Sequence, residues 1–289
     1  MTEISNEIQT KILKHLEISE PITTDLQTLQ RIYTSWCLHV PFDNIRKMIA
    51  LQSEYKQKLP GLDAFDFFEN WLENGSGATC WPMANAFYEL LISIGFDAKR
   101  IAGYMRDLGV LNHASVKVII NGQNYIAEAA FFLNKVFLLG QDTIIENDPV
   151  FPAEIEKEGE SHLLWMQTPP GKDFFYCRIN SNPVDFLFFN EGYEASRDRS
   201  IFNQRLYARK NYPDKLIILW GNTYVLKTIN GVDYRELSRD EVCLALRNDI
   251  GISENLINKW IVAGCLEASF GKPTGPPPPP LTIKPPSQR

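Results

Sequence analysis

The stretch Asn74-Gly75-Ser76-Gly77-Ala78-Thr79-Cys80-Trp81-Pro82 is the segment around which the rest of the chain is predicted to be organised. Glycines and small residues before Cys80 predict a loop, and the residues after it predict a helix with one apolar stripe. Pro82 fits a first helical turn, because its missing N–H group would have no partner there. The stripe comprises Met83, Ala84, Phe87, Leu90, Leu91 and Ile94, and Gly95 ends it.

Cys80 is therefore predicted to lie at a helix N-terminus. Unpaired N–H groups and the positive end of the helix dipole favour the thiolate there, which is the form that attacks acyl carbons. A cysteine that opens a helix can also be a small apolar core residue. Which of the two functions Cys80 has depends on the residues around it.

A predicted β-hairpin supplies two such residues. Asn121-Gly122 separates the apolar runs 114–120 and 123–132, and Asn-Gly between two such runs is a strong hairpin signal. With a loop of two or four residues, counting along the ladder places His113 and Glu128 on one face, a diagonal apart. A three-residue loop would place them on opposite faces.

Glu128 stands in an otherwise apolar run, where a lone buried carboxylate would be costly, and His113 is the predicted partner. A cysteine, a histidine and an acid form the arrangement for nucleophilic acyl transfer. The imidazole takes the thiol proton and the carboxylate fixes the imidazole tautomer. We therefore predict a catalytic triad of Cys80, His113 and Glu128.

Further motifs give the chain a resemblance that extends over most of its length. The segment 39–45, His-Val-Pro-Phe-Asp-Asn-Ile, is similar to Val-Pro-Phe-Glu-Asn-Leu of the arylamine N-acetyltransferase family, a branch of the papain- and transglutaminase-like cysteine enzymes. The loop from Gly75 to Cys80 stands where that family has Arg-Gly-Gly-x-Cys. Later landmarks that resemble the family are Pro183-Val184-Asp185-Phe186, Asn190, Tyr193 and Phe202.

The chain also differs from the family pattern around the predicted triad. Ser76 replaces the arginine, Ala78 replaces the second glycine, and Glu128 replaces an aspartate. Asn85 lies five residues after the cysteine instead of four, and residues 130 and 132 are not glycine. These differences concern the identity of the substrate more than the chemistry of the thiol.

The resemblance implies a ping-pong acyltransferase. Cys80 would take an acetyl group from acetyl-CoA, or another acyl group from an acyl thioester, and pass it to an arylamine or hydrazine. Phe131 is expected to contribute to an aromatic-binding slot, and Phe42 is the second expected substrate-binding residue. No metal and no tightly bound cofactor is expected.

Three alternatives stay open. An amide synthase of secondary metabolism would take its acyl group from an acyl carrier protein. A transglutaminase-like protease or amidase would keep the triad without the motifs at 41–44 and 185–193. A non-catalytic binding scaffold would require Cys80 to be inert.

Composition narrows the class of protein further. The chain has 289 residues, 44% of them hydrophobic, with a net charge of -6, which argues against nucleic acid or anionic lipid as partners. It has neither a basic-then-apolar leader nor an apolar run near 18 residues. Five cysteines at irregular spacings predict a reducing compartment, hence a cytoplasmic protein, and no zinc site.

The pattern of apolar residues predicts an α+β fold in three parts. A helical domain (1–95) carries the nucleophile, an antiparallel β-barrel-like domain (96–196) carries the histidine and the acid, and an α/β lid (197–266) follows. A proline-rich disordered tail (267–289) is expected after the lid. Within the barrel, the run 185–189 is predicted as a strand and 154–160 as a solvated acidic loop.

Overall fold

A computed structural model describes residues 4–19, 21–55, 57–106, 109–167, 173–272 and 281–289. Helices dominate the first third of the chain, and two antiparallel sheets of eight and five strands follow. The eight-stranded sheet curls into a nearly closed barrel. The predicted α+β class is therefore confirmed.

The first third of the chain forms five helices around an aromatic core. Asp25 and Asp63 accept backbone N–H hydrogen bonds at the starts of the second and fourth helices, and Trp36 stacks on Phe67 at 5.8 Å between ring centroids. The elements are α1 (Asn6–His15), α2 (Leu26–His39), β1 (Phe42–Asp43), α3 (Ile45–Gln52), α4 (Ala64–Asn74) and α5 (Cys80–Ile94). The last of these begins at Cys80 and ends at Ile94, with Gly95 as its C-cap, as the apolar stripe predicts.

The eight-stranded sheet carries the predicted hairpin in the predicted register. Ile120 pairs with Gln123, and both residues of the intervening Asn121-Gly122 turn have positive φ, which asparagine and glycine tolerate best. The strands are β2 (Asp97–Met105), β3 (His113–Ile120), β4 (Gln123–Ala127), β5 (Phe137–Leu138), β6 (Thr143–Glu146), β7 (Ala153–Glu158), β8 (Ser161–Met166) and β9 (Phe175–Asn180). Their order across the sheet is β5-β4-β3-β2-β9-β8-β7-β6.

Two predictions within this region are wrong. The acidic segment 154–160 is not a solvated loop, because residues 153–158 form β7 and Glu154 is only 2% exposed. The run 185–189 is not a strand: Asp185 caps α6 (Phe186–Arg199) by accepting the backbone N–H of Phe188. Four consecutive apolar residues after the cap have no period, so they fit either element.

The C-terminal sheet includes one strand from the N-terminal third. β1 pairs with the first strand of this part, and the remaining strands follow it across the sheet in chain order. The elements are β10 (Tyr207–Asn211), β11 (Lys215–Trp220), β12 (Thr223–Thr228), β13 (Gly231–Glu236), α7 (Arg239–Ala245), a π-helical turn (Leu246–Ile250), α8 (Glu254–Val262) and α9 (Cys265–Phe270). Ser238 and Glu241 form a capping box at the start of α7.

The end of the chain differs from the predicted disordered tail. Residues 265–270 form α9, and residues 281–289 lie against the barrel and end in a short 3-10 turn (Pro286–Gln288), whereas 273–280 lie outside the described residues. The proposed domain boundary at residue 196 also falls inside α6. Among the helices described, none is long and apolar enough to cross a membrane.

Candidate active site

Two glycines allow the loop before Cys80 to pass very close to other backbone segments. A Cβ atom at Gly75 would lie 2.0 Å from the carbonyl oxygen of Gly251, and one at Gly77 would lie 1.9 Å from that of Pro41. Gly75 also has a positive φ of 68° as the residue that ends α4. Larger residues at either position would displace the loop and the cysteine that follows it.

A buried carboxylate also fixes the loop before Cys80 through hydrogen bonds. Asp43, on β1, is 1% exposed and accepts hydrogen bonds from the Ser76 hydroxyl at 2.9 Å and the Gly77 N–H at 2.7 Å. It also accepts the N–H of Ile45 at 3.1 Å. Burial raises the pKa of Asp43 to about 6, although these hydrogen bonds oppose the shift. Ser76, the residue that differs from the family arginine, is therefore a donor to this carboxylate.

The structure brings the three residues of the predicted triad together. Cys80 is the first residue of α5 and is partly exposed, and its thiol lies close enough to His113 to affect the pKa of that ring. The Nε2 atom of His113 lies 3.1 Å from Oε2 of Glu128, and the two side chains are 2% and 1% exposed. Because Glu128 occupies Nε2, the Nδ1 atom is the ring nitrogen available to the thiol.

The Glu128 carboxylate is fixed by a turn instead of by a strand. The predicted strand continues to residue 132, but β4 ends at Ala127 and Glu128 opens the turn that follows. Its Oε1 atom accepts the N–H of Ala130 at 3.1 Å, and its carbonyl oxygen accepts the Tyr33 hydroxyl at 2.7 Å. The turn gives the longer side chain a defined position beside the histidine.

The pKa of His113 is the result of opposing effects. Burial of the ring lowers its pKa, but the negative charge of Glu128 and the nearby Cys80 sulfur outweigh burial and raise the pKa to about 10. Nε2 of His113 and Oε2 of Glu128 have no aligned hydrogen-bond partner in the described part of the chain, so the 3.1 Å contact between them is an ion pair. The ion pair therefore stabilises a protonated imidazole beside the sulfur of Cys80.

The two expected substrate-binding residues lie in different surroundings. Phe131 stacks on the His113 ring with 4.2 Å between centroids and an interplanar angle of 11°, so it forms an aromatic wall beside the imidazole. Phe42 is 5% exposed and packs against Phe202 and Tyr207 at 5.0 and 5.4 Å. Substrate binding by Phe42 stays a prediction, and its observed contacts are with the core.

Two residues near the site were not predicted from the sequence. The carbonyl oxygen of Asn112 lies 4.0 Å from the Sγ of Cys80, and its side chain accepts the N–H of Met105 at 2.7 Å. Phe175 meets Phe131 edge to face at 6.5 Å. Its place in the aromatic run 174–176 was the available signal, but only the tertiary fold brings β9 to the hairpin.

Cys80 differs from the other cysteines in its surroundings. Burial raises the pKa of both Cys37 and Cys265 to about 12, and it also raises the pKa of Cys243. All five thiols are free, and the thiol of Cys80 lies near the His113 ring. Among the described residues, no group of three or more histidine, cysteine, aspartate or glutamate side chains could hold a metal ion.

A protein-family model described as N-acetyltransferase matches residues 25–259. The chain therefore belongs to the N-acetyltransferase family, the arylamine N-acetyltransferases that its motifs resemble, and it is an acyltransferase enzyme. Arylamine N-acetyltransferase 1 of Homo sapiens is 23% identical over 263 residues, which cover 79% of this chain and 88% of the relative.

Solved structures of low identity share the fold. An arylamine N-acetyltransferase of Mycobacterium marinum in complex with CoA superposes with a TM-score of 0.76 at 16% identity, over 90% of this chain and 97% of that one. An arylamine N-acetyltransferase of Bacillus cereus, described as having a unique Cys-His-Glu catalytic triad, gives a TM-score of 0.72 at 17% identity. The latter match covers 86% of this chain and all of the Bacillus chain.

Proposed function

We propose that the protein transfers an acetyl group from acetyl-CoA, through a thioester on Cys80, to the amino group of an arylamine or hydrazine. The observation that carries this proposal is the contact of Cys80 with His113, whose other ring nitrogen lies 3.1 Å from Glu128. Cys80 is the nucleophile, His113 the acid and base, and Glu128 the residue that orients and charges the imidazole.

In the first half-reaction the Cys80 sulfur attacks the thioester carbonyl after its proton has moved to His113. Thr79 gives the helix no side-chain cap, so the first N–H groups of α5 are free of a capping oxygen and can stabilise charge on the carbonyl oxygen. When the carbon–sulfur bond to CoA breaks, the departing CoA sulfur takes the proton from His113. The products are acetyl-Cys80 and CoA.

In the second half-reaction the amine attacks the carbonyl carbon of acetyl-Cys80. His113 accepts the proton that the amine nitrogen loses, and the sulfur leaves as the new amide forms. An aromatic ring stacked against Phe131 would bring an attached amino group close to the sulfur, because Phe131 already lies parallel to His113. An arylamine therefore fits the site better than an aliphatic amine.

The relatives support three parts of this proposal. The human and Mycobacterium proteins are arylamine N-acetyltransferases, and the latter was solved with CoA. The Bacillus enzyme has a glutamate in its triad, so Glu128 is compatible with this chemistry. No tightly bound cofactor is required, since both substrates diffuse in and out.

Intact-mass spectrometry tests the proposal directly. We would incubate the protein with acetyl-CoA, other acyl-CoAs and acyl-carrier thioesters, with no amine present. We expect the mass of one acetyl group to appear on the wild type and on Cys243→Ser, to be absent from Cys80→Ser, and to disappear when an arylamine is added. An adduct formed only from the carrier thioester, or acetyl loss that does not require amine, would contradict the proposal.

A further inference from the structure

Part of the barrel has apolar side chains on both of its faces. Along β8 and β9, Leu164 and Cys177 point into the barrel core, whereas the alternate residues Leu163, Trp165 and Tyr176 form a second cluster on the outside. Sheets with one face in water normally alternate between apolar and polar residues. The sequence of these strands therefore requires a cover on the outer face.

The last nine residues of the chain supply that cover. Leu281 and Ile283 pack against the outer cluster of Leu163, Trp165 and Tyr176. Because of this contact and the neighbouring strands, Trp165 has no exposed surface and Tyr176 is 3% exposed. We refer to residues 281–289 as the C-terminal segment.

Polar contacts fix the register of the C-terminal segment on the sheet. The Glu154 carboxylate accepts the Ser287 N–H at 2.9 Å on one oxygen and the Ser287 hydroxyl on the other. Arg289 binds both oxygens of Glu156, at 2.6 and 2.9 Å. Glu154 is 2% exposed, so a buried acid on β7 depends for its hydrogen bonds on the end of the chain.

The outer cluster lies on the opposite face of the sheet from the proposed active site. Phe174 packs on the outer cluster together with the C-terminal segment. The next residue, Phe175, points the other way and meets the edge of Phe131, which stacks on His113. The C-terminal segment therefore packs on one face of the sheet at the start of β9. Phe131 contacts the opposite face at the same place.

We propose that the C-terminal segment is a positioning element for the amine-binding slot. By packing on Trp165 and Tyr176 it holds the start of β9, and thereby Phe175 and Phe131, in the position that receives an aromatic ring. This inference rests on the proposed function of Cys80, His113 and Glu128. None of those three residues contacts the segment, so its loss changes how the amine binds and leaves acylation of Cys80 unchanged.

The test uses the full-length chain with the segment displaced. Leu281→Asp combined with Ile283→Asp places two charges against the apolar cluster and should release the segment. The matched control is Thr282→Asp with Lys284→Gln, because both residues are exposed and the pair makes the same change in net charge. We expect the first variant to raise the KM for an arylamine by about threefold to tenfold. The control should match the wild type.

Two further measurements separate positioning from general loss of stability. The rate of acetyl-Cys80 formation with acetyl-CoA alone should be the same in both variants and in the wild type. A synthetic peptide with the sequence of residues 281–289, at about millimolar concentration to replace the tethered segment, should restore the KM of the displaced variant. A peptide of scrambled sequence should have no effect.

The outcomes distinguish this inference from the proposed function. If the wild type forms no acetyl adduct, the proposed function fails and the inference fails with it. If the wild type transfers acetyl groups and the displaced variant has an unchanged KM, the inference alone is overturned. It is also overturned if the variant loses acylation and amine binding to the same extent, or if the peptide does not restore the KM, because either result indicates a purely structural role.

Discussion

Glu128 and Asp43 are both buried carboxylates that support the Cys80 site, and of these two only Glu128 forms an ion pair with a residue that the structure describes. Glu128 lies 3.1 Å from the imidazole of His113, whose pKa it raises. Asp43 is as deeply buried, but its hydrogen-bond donors are a hydroxyl and two backbone N–H groups, all of them neutral. Burial raises the pKa of Asp43 to about 6.

The comparison shows that burial of an acid does not by itself indicate catalysis. A carboxylate that faces an imidazole changes the charge of a group that can move protons. A carboxylate that faces only backbone and hydroxyl donors fixes the position of a loop. We therefore expect removal of Glu128 to affect chemistry, and removal of Asp43 to affect the stability of the loop that carries the nucleophile.

The largest loss of acyl transfer is expected when Cys80 itself is replaced. Cys80→Ser should reduce acyl transfer by several orders of magnitude and leave the fold intact, because a hydroxyl fits the site but an alkoxide is not accessible to this imidazole. The measurement is steady-state transfer together with thermal unfolding. A variant that keeps more than about a tenth of the wild-type rate would show that Cys80 is not the nucleophile.

Glu128→Gln should lower the transfer rate on the order of a thousandfold, because the amide keeps the shape but not the charge that orients and protonates His113. The folded His113 pKa lies above its ordinary 6.5, so the ion pair stabilises the fold fully below pH 6.5 and this contribution is lost as the pH rises toward 10. The excess unfolding free energy of the wild type over the variant should decline in that window. A constant difference would contradict the ion pair.

Glu128→Asp tests whether the length of the acidic side chain matters for the contact with His113. The shorter side chain falls about 1.5 Å short of the imidazole, so we expect a loss of rate smaller than that of the glutamine variant. The test is to measure the acyl-transfer rates of Glu128→Asp and Glu128→Gln under the same conditions. Equal activity of Asp and Glu at this position would mean that the turn after β4 accommodates either acid.

Phe131→Leu tests the aromatic wall between the triad and β9. Loss of the stacked ring should raise the KM for an arylamine by about tenfold, the upper range for an aromatic pair, and leave acetyl-Cys80 formation unchanged. Steady-state kinetics with an arylamine and with an aliphatic hydrazine as the control acceptor would measure this. An equal change for both acceptors would argue against stacking.

The smallest effect on transfer is expected at Asp43, since it acts through the loop. The pKa of Asp43 is about 6 in the folded state and ordinarily 3.8, so between these pH values Asp43 is protonated in the folded state and ionised in the unfolded state. The free energy of unfolding therefore falls as the pH rises through this window. Asp43→Asn removes this dependence, which amounts to about 2 to 3 kcal/mol. Urea unfolding at pH 4 to 7, with exposed Asp233→Asn as control, measures it. Identical pH profiles of wild type and Asp43→Asn would refute the assignment.

Local signals in the sequence were sufficient for the centre of the site. The Asn121-Gly122 turn fixed the hairpin register, and that register placed His113 beside Glu128. The apolar stripe after Cys80 placed the cysteine at a helix start. Each of these predictions depends on residues within one hairpin or one helix.

The parts that the sequence did not predict depend on distant residues. The strand at 153–158 looks like an acidic loop in the sequence, because Glu154 and Glu156 find their partners in Ser287 and Arg289, 133 residues later in the chain. The helix after Asp185 packs Gly192 against Trp81 so closely that a Cβ atom there would lie 2.5 Å from the indole. Neither contact leaves a periodic pattern in its own segment.

The pairing of β1 with β10 has a consequence for how the enzyme matures during synthesis. Asp43 pairs with Ala208, so the strand that carries the loop-supporting carboxylate gains its partner only after more than two thirds of the chain has left the ribosome. Closing so long a loop is slow compared with forming the helices on either side of it. Reactivity of the Cys80 thiol should therefore appear late in folding, after most of the secondary structure has formed.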